Sequence, residues 1–492
     1  MGSEAASFCY ADMEGAGRNI TRLIDSCRFC DAEVTIQSIL FKYPENCYFL
    51  KLLGYVYEKR EKYLEANDAY GRAFRNAETV RDKEELDNCV NRIADLIRGK
   101  SFSKADYAKS LYKVASIYCY GRSGTHFFKS LLDNHPETIV TMLNGIKILN
   151  LWNSEIKDNI NDLSCECIAE KIFDALHTEF NDGIVYDEPR LNGMYVMGEN
   201  RDEFYSINKD KFKTEFIEIM DGCESADAGF FYQAVQLSAS YALGRSYDFL
   251  TGIPVIVEGG IHFSTHTDLT QQLLNIFPYT RLFHMVRNPI SSLASTVKSL
   301  AVSGIGNINL LCSNLVILLH KVPATIDWAD RTYLVRLEDL HTKSRETLQL
   351  VCSHLGIRWS DTLLESTFGG IKWWNTTTSD VISGFNTQII SKKHDDILSS
   401  FDRFRFESML RTKFKSWGYD SFDFFDYDIL KKLLEYPFKF EGLFSKSKDE
   451  FDINRKIICR TLLKYLKEEQ NPEDERIRYE VHLLSPGCEG EI

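Results

Sequence analysis

The 492-residue sequence predicts an α/β protein in which a parallel sheet, flanked by helices, carries a P-loop-like turn and follows an all-α region. Three observations lead to this prediction. Short apolar segments alternate with amphipathic helices after residue 113, one of these segments turns through Gly-Arg-Ser-Gly-Thr into a helix, and residues 47–78 have the spacing of a helical repeat. Apolar strands that alternate with helices are typical of a parallel sheet covered on both faces.

Residues 1–112 are predicted to be helical. Leu53, Gly54, Tyr57 and Tyr70 fall at the offsets of a tetratricopeptide repeat, a helix–turn–helix unit of about 34 residues. One such unit cannot bury its own apolar face, so we expect it to pack as a cap on the domain behind it. A groove that binds a protein partner is the alternative.

Residues 113–420 are predicted to form the α/β domain. Strand candidates are VASIYCY, PVIVEG at 254–259, RLFHMV at 281–286 and TYLVRL at 332–337, with helices at 268–277 and 344–356 between them. In parallel sheets, ligands bind beyond the carboxyl ends of the strands. The turn that follows the first strand therefore lies at the expected ligand-binding edge.

That turn, in IYCYGRSGTHFF, has the composition of an anion-binding loop. Gly121 and Gly124 allow the backbone to turn so that the next amides and the helix dipole point at one anion. Arg122 adds a positive charge and Thr125 a hydroxyl. An ATP or GTP loop is not indicated, because no Gly-Lys-Ser/Thr follows.

A second polar motif follows the strand at 281–286. Arg287 stands at its carboxyl end, and Asn288-Pro289 begins a helix, since proline suits the first helical position. Ser295 lies about two helical turns further on. An arginine and a serine hydroxyl together can bind a phosphate.

The two motifs in this order resemble the site of sulfotransferases that use 3′-phosphoadenosine 5′-phosphosulfate (PAPS). The segments YLVRLEDLHTKSRETLQLVCSHLGI, STFGGIKWW and SGFN are similar to later parts of that family, and these landmarks span about 114–420. The chain looks most like the bacterial branch that carries tetratricopeptide units.

The resemblance implies the sulfotransferase fold, PAPS as co-substrate, no metal, and transfer to a hydroxyl or amine of a carbohydrate, lipid or small metabolite. Arg122 would contact the oxygen that bridges phosphate and sulfate. The implied binding residues are Arg122, Ser123, Gly124, Thr125 and His126 around the 5′-phosphosulfate, Arg287 and Ser295 at the 3′-phosphate, and Phe127, Ser366 and Phe368 near adenine.

His262, in VEGGIHFSTH, is the predicted general base, because the family commonly has a histidine here. Glu188, Glu258 and His266 remain alternatives. Three positions depart from the family pattern: His126 replaces a Thr or Ser, Gly260 a lysine, and Leu337 a tyrosine. Glu338 and Asp339 are interpreted as structural, since a charged pair at a strand end is usually a cap or an ion pair.

Composition restricts the partners. A net charge of −13 disfavours binding to nucleic acid, which requires a positive field. No signal peptide and no membrane-spanning segment is predicted, and thirteen cysteines without regular spacing fit reduced thiols, so we expect a cytoplasmic protein. The single C-x-x-C, Cys27 and Cys30, is expected to bind no metal.

Residues 421–492 are predicted to be a helical extension with a charged end. The expected partners are a small-molecule or glycan acceptor and, in the repeat region, a possible protein. The alternative to an enzyme is a catalytically inactive protein of the same fold that serves as a binding or scaffold protein.

Overall fold

A helical region forms the front of the molecule, as predicted. Its helices are α1 (Gly2–Asp25), α2 (Phe29–Lys42), α3 (Cys47–Lys59), α4 (Tyr63–Arg75), α5 (Val80–Arg98) and α6 (Lys104–Ser110). The computed structural model describes residues 2–119, 122–180, 194, 197–223, 225–262, 267–302, 308–319, 332–376, 381–390, 394–420, 424–470 and 482–483.

The α3–α4 pair packs through the small residue that the repeat spacing singled out. A Cβ atom on Gly54 would lie 2.6 Å from Cδ1 of Tyr70, so only glycine permits this approach of the two helices. Tyr57 and Tyr70 are 1% and 2% exposed and fill the space between them. Local packing in this pair therefore follows from the sequence pattern.

A six-stranded sheet forms the centre of the protein, in the order β10-β5-β4-β1-β3-β2, and every pair in it is parallel. The predicted α/β fold class is thus confirmed. The strands are β1 (Val114–Cys119), β2 (Thr138–Val140), β3 (Val255–His262), β4 (Arg281–Val286), β5 (Thr332–Arg336) and β10 (His482–Leu483). The pairs β6 (Thr367–Phe368) with β7 (Ile371–Lys372), and β8 (Asn375–Thr376) with β9 (Val381–Ile382), are antiparallel.

Helices cover the sheet and continue as far as Gln470. They are α7 (Thr125–Asp133), α8 (Gly145–Leu151), α9 (Cys165–Ala175), α10 (His177–Phe180), α11 (Lys209–Asp221), α12 (Ala228–Ala242), α13 (Thr267–Ile276), α14 (Pro289–Val302), α15 (Ile308–Leu319), α16 (Leu337–Thr342), α17 (Ser344–Leu355), α18 (Ser400–Met409), α19 (Arg411–Ser416), α20 (Tyr427–Leu433) and α21 (Lys448–Gln470). A π-helical turn, Trp152–Ile156, continues α8, and 3-10 turns lie at Lys157–Asn159, Asp361–Leu364, Thr387–Ile389 and Lys439–Phe444.

The helical region packs against the amino ends of the strands. Arg281, at the start of β4, donates to the carbonyl oxygens of Leu40 (2.9 Å) and Phe41, which are among the last of α2. Cations suit the carboxyl end of a helix, where carbonyl groups lack partners. Lys113 forms an ion pair with Asp68 of α4 at 2.9 Å. These contacts favour the cap interpretation, and the predicted protein partner stays a prediction.

One hydrophobic core runs from the helical region into the sheet, and a second lies at the carboxyl end. The second core joins α14 and α15 to α18, α20 and α21 through residues such as Leu293, Phe406, Leu430 and Leu462. The described part of 421–492 therefore packs against the helix that follows Arg287.

The described part of the chain contains no helix long and apolar enough to cross a membrane. Cys27 and Cys30 are exposed and free. Within the same ranges, no three His, Cys, Asp or Glu side chains lie close enough together to hold a metal ion.

Candidate functional site

The predicted anion-binding loop leaves the central strand of the sheet. β1 pairs with β3 on one side and β4 on the other, and the loop after it leads into α7. Its backbone is left-handed at Arg122 (φ 61°) and at Gly124 (φ 95°). A non-glycine residue in this conformation costs roughly 1–2 kcal/mol, and such strain is concentrated at functional sites.

Gly124 is required for a second reason. A Cβ atom there would lie 2.5 Å from Cδ1 of Leu337, which is 6% exposed. Leu337 stands where many PAPS-dependent sulfotransferases have a tyrosine, and in this protein it packs on the loop. The position of α16 and the turn of the loop therefore depend on each other.

Ser123 presents a buried hydroxyl group at the start of α7. The residue is 2% exposed, and its Oγ has no hydrogen-bond partner among the described residues. The first amide groups of a helix also lack intrahelical acceptors. Thr125, 8% exposed, begins the helix beside them. These groups are the donors that an anionic oxygen requires.

His126 lies at the mouth of the loop, with its ring centroid 6.4 Å from that of Phe368. The residue is exposed to solvent. Partial loss of hydration at the imidazole, with the charges of Lys129 and Arg122 nearby, lowers the pKa of His126. The imidazole is therefore neutral at physiological pH and can donate one hydrogen bond.

Arg287 comes directly after β4, beside the end of β1. Burial lowers the pKa of Arg287, the carboxylate of Glu338 opposes this, and the charge of Arg122 lowers the pKa further. The Glu338 carboxylate is occupied by the amide of Asn288 (3.0 Å) and the hydroxyl of Tyr419 (2.6 Å). Two guanidinium groups thus lie near each other without a hydrogen-bonded carboxylate among the described residues.

The motif after Arg287 folds as its sequence predicts. Asn288 caps α14, because its Oδ1 accepts from the amides of Ile290 (3.1 Å) and Ser291 (3.2 Å). Pro289 is the first residue of the helix. Ser295 lies in its second turn and is half-buried. Its role at the 3′-phosphate stays a prediction.

The three residues predicted near adenine are buried. Phe127 is 4% exposed and stacks on His341 at 4.5 Å between ring centroids. Ser366 shares a hydrogen bond of 2.6 Å with the hydroxyl of Ser130, and Phe368 is 1% exposed. Their contact with adenine stays a prediction.

His262 ends β3 with its Cα opposite that of Cys119, so its backbone adjoins the start of the loop. Its side chain is not described, and Glu188 and His266 lie outside the described residues. Glu258 is 2% exposed and accepts from the Tyr232 hydroxyl at 2.9 Å. Burial raises the pKa of Glu258. The choice of base stays open among these residues.

The structure adds two histidines that the sequence did not suggest. His341 Nδ1 accepts from the amide of Asn386 at 3.1 Å, and burial with Arg287 nearby lowers the pKa of His341 to about 4. Burial and the charge of Arg287 also lower the pKa of His394, whose buried Nε2 has no partner among the described residues. Both come from segments far from Arg287 in sequence, so no local spacing indicates them.

Glu338 and Asp339 are structural, as interpreted from the sequence. Asp339 binds Arg336 through both of its oxygens, at 2.7 and 3.0 Å. Glu338 accepts one hydrogen bond from the amide of Asn288 and one from the hydroxyl of Tyr419, so it links these two segments. Both carboxylates therefore hold neighbouring segments in place. Neither of them, nor any other carboxylate among the described residues, is hydrogen-bonded to Arg287.

Comparison with known proteins identifies a family for this chain. The sequence model of the Sulfotransferase family matches residues 116–361, which is half of the chain. The search of curated proteins finds no match.

Two solved structures are similar at low identity. The sulfotransferase domain of the Synechococcus PCC 7002 olefin synthase is 13% identical with a TM-score of 0.33, covering 57% of this chain and 86% of that domain. The sulfotransferase domain from the curacin biosynthetic pathway is 13% identical with a TM-score of 0.26, covering 52% and 77%.

Proposed function

The chain belongs to the sulfotransferase family, and from that premise we propose that it transfers a sulfuryl group from PAPS to a hydroxyl or amine acceptor. The observation that carries this proposal is the pair of guanidinium groups of Arg122 and Arg287. They follow neighbouring strands, the charge of Arg122 disfavours that of Arg287, and no described carboxylate is hydrogen-bonded to Arg287. A ligand with several negative charges would relieve this repulsion.

The loop suits one end of such a ligand. The unpartnered hydroxyl of Ser123, the helix amides and Thr125 would hold the 5′-phosphate, and Arg122 would neutralise charge on the leaving oxygen. Arg287, Ser295 and the histidines beside them would hold the 3′-phosphate. When bound, PAPS supplies the sulfuryl group and the leaving phosphate.

Transfer asks little covalent chemistry of the protein. The acceptor oxygen or nitrogen bonds to sulfur as the bond between sulfur and the phosphate oxygen breaks, and that oxygen keeps the electron pair. The acceptor proton passes to a base, for which His262 is proposed. A positioned base contributes roughly 10²–10⁴-fold. Alignment and charge neutralisation by the loop provide the rest.

The first experiment measures binding of adenosine 3′,5′-bisphosphate, the desulfated product, by heat stabilisation. At about 100 times its dissociation constant the expected stabilisation is about 2.7 kcal/mol. Arg287→Ala should remove most of it, whereas Arg345→Ala, an exposed arginine paired with Asp361, should not. No stabilisation of the wild type, or an undiminished one in Arg287→Ala, would overturn the proposal.

A second experiment separates an enzyme from an inactive binding protein. Sulfate release from PAPS, and transfer to a mixed library of hydroxyl and amine acceptors, are compared for the wild type and His262→Ala. An enzyme that uses His262 as its base loses turnover in the variant and keeps product binding. Binding without any turnover would favour the scaffold alternative.

A further inference from the structure

Lys129 lies one turn into α7 and is almost completely buried. The residue is 3% exposed, and no described residue hydrogen-bonds to its ammonium group. Two carboxylates attract it, those of Glu258 and Asp133. An ammonium group buried without a direct partner is costly, so its position requires an explanation.

Asp133 is fully engaged elsewhere, whereas Glu258 is engaged through Oε2 and its buried Oε1 has no hydrogen-bond partner among the described residues. Asp133 accepts from the hydroxyl of Thr367 (2.9 Å) and from the amides of Gly369 (3.0 Å) and Gly370 (2.9 Å). Glu258 accepts from Tyr232, and the amides that begin α8 stabilise its charged form. The negative charges of the two carboxylates favour the charged form of Lys129, although neither carboxylate forms a direct ion pair with it.

Helix geometry favours an ammonium group of Lys129 that points toward the loop. Side chains on a helix lean toward its amino end, and four residues of helix rise about 6 Å, close to the length of an extended lysine. An extended lysine at position 129 that follows this rule spans the distance back to the level of Thr125. Its charge lowers the pKa of His126, which agrees with this direction.

The strand beside α7 provides the space. A Cβ atom on Gly259 would lie 3.0 Å from Cδ of Lys129, so the stem of the lysine runs over a position without a side chain. Gly260 follows, where the resembled family has a lysine on this strand. The absence of a side chain at Gly259 therefore leaves space for the stem of Lys129 beside the strand.

We propose that Lys129 is a catalytic residue whose ammonium group contacts the transferring sulfuryl group, in place of the lysine that is absent at position 260. This inference rests on the proposed function. The phosphates of the nucleotide belong to the loop amides and to Arg287, so Lys129 should distinguish PAPS from its desulfated product.

The test uses Lys129→Met, which keeps the length of the stem and removes the charge. The affinity for adenosine 3′,5′-bisphosphate should not change, the affinity for PAPS should fall, and sulfate release should slow by about 10²–10³-fold. Lys171→Met is the matched control, because Lys171 is a surface residue paired with Glu155. Its values should equal those of the wild type.

Three results would overturn the inference. Unchanged PAPS affinity and turnover in Lys129→Met would show that the ammonium group does not contact the sulfuryl group. An equal loss of affinity for both nucleotides would assign Lys129 to the phosphates or to the fold. Failure of the wild type to bind adenosine 3′,5′-bisphosphate would contradict the proposed function itself. That result differs from the first two, in which the wild type still binds the nucleotide.

Gly259→Ala provides a second route if Lys129→Met does not fold. The added methyl group displaces the stem without changing any charge, so the preference for PAPS over the product should fall. Unchanged preference and turnover in Gly259→Ala would contradict the proposed path of the side chain.

The pH dependence gives an independent readout. Burial lowers the pKa of Lys129 to about 8, so the charged form is lost as pH rises through that value. The ratio of PAPS to product affinity should fall above about pH 8 in the wild type and stay flat in Lys129→Met; equal slopes would contradict the inference. The titratable groups that interact with Lys129 are His126, Asp133 and Glu258, and Tyr232 donates a hydrogen bond to Glu258.

Discussion

Replacing Gly124 by alanine should destabilise the protein through two separable effects. The residue has φ 95°, and its Cβ would lie 2.5 Å from Cδ1 of Leu337. The left-handed backbone costs a residue with a Cβ about 1–2 kcal/mol. Forcing a methyl group into a packed contact costs about 1–3 kcal/mol more. We therefore expect a total loss of about 2–5 kcal/mol in the free energy of unfolding.

Two other glycines isolate these effects. Gly244 has φ 81°, and no described atom lies within 4 Å of the place that a Cβ would take, so Gly244→Ala should show the backbone cost alone, about 1–2 kcal/mol. Gly442 has neither a positive φ nor a close neighbour among the described residues, and Gly442→Ala should be within about 0.5 kcal/mol of the wild type.

Urea denaturation followed by tryptophan fluorescence provides the measurement. In a Leu337→Ala background the methyl group has space, so the cost of Gly124→Ala should fall to that of Gly244→Ala. Equal costs of Gly124→Ala in both backgrounds would refute the contact with Leu337. A cost below about 0.5 kcal/mol would refute the whole account of the loop.

Two further predictions concern buried charges. Lys113→Met removes the closer ion-pair partner of Asp68, at 2.9 Å, and leaves Arg72 at 4.0 Å and the hydroxyl of Tyr112 at 3.0 Å. It should cost about 1.5–3 kcal/mol in urea denaturation, and the double variant with Asp68→Asn should recover part of that loss; a loss below about 0.5 kcal/mol would contradict this. Burial, with Lys413 nearby, lowers the pKa of His284 to about 3. The histidine is therefore protonated near pH 6.5 in the unfolded chain and stays neutral in the folded protein. Because the unfolded chain binds the additional proton, the free energy of unfolding falls as pH drops. Between pH 7 and pH 4 this histidine should account for about 3 kcal/mol of the fall, and His284→Phe should lack that part; identical pH dependence in the two proteins would contradict it.

Much of the fold could be predicted because apolar runs and helical periodicity are visible in neighbouring residues of the sequence. The apolar runs at 281–286 and 332–337 agree with β4 and β5 to within a residue, and the helix expected at 344–356 is α17. β2 was missed, since three residues have no period to detect. Its place at the sheet edge depends on pairing with β3, more than a hundred residues away.

The candidate site divides in the same way. Arg122, Gly124 and Arg287 stand directly at strand ends, where residue type and position alone indicate a role. His341 and His394 approach Arg287 from later segments, and Lys129 acquires its environment from Glu258 on β3. No spacing in the sequence links these residues, because contacts between distant segments set their surroundings.

The sequence by itself determined the class of the sheet and the strand–glycine–helix turn, because strand period and glycine position are properties of neighbouring residues. Its resemblance to sulfotransferases indicated the family, which the family match confirms. Tertiary structure alone decided that Leu337 closes on Gly124, that Glu338 is occupied by the Asn288 turn, and that Lys129 is buried over Gly259. Each depends on the approach of elements far apart in the chain. Burial and unpaired charge, which give the site its chemistry, arise only from that approach.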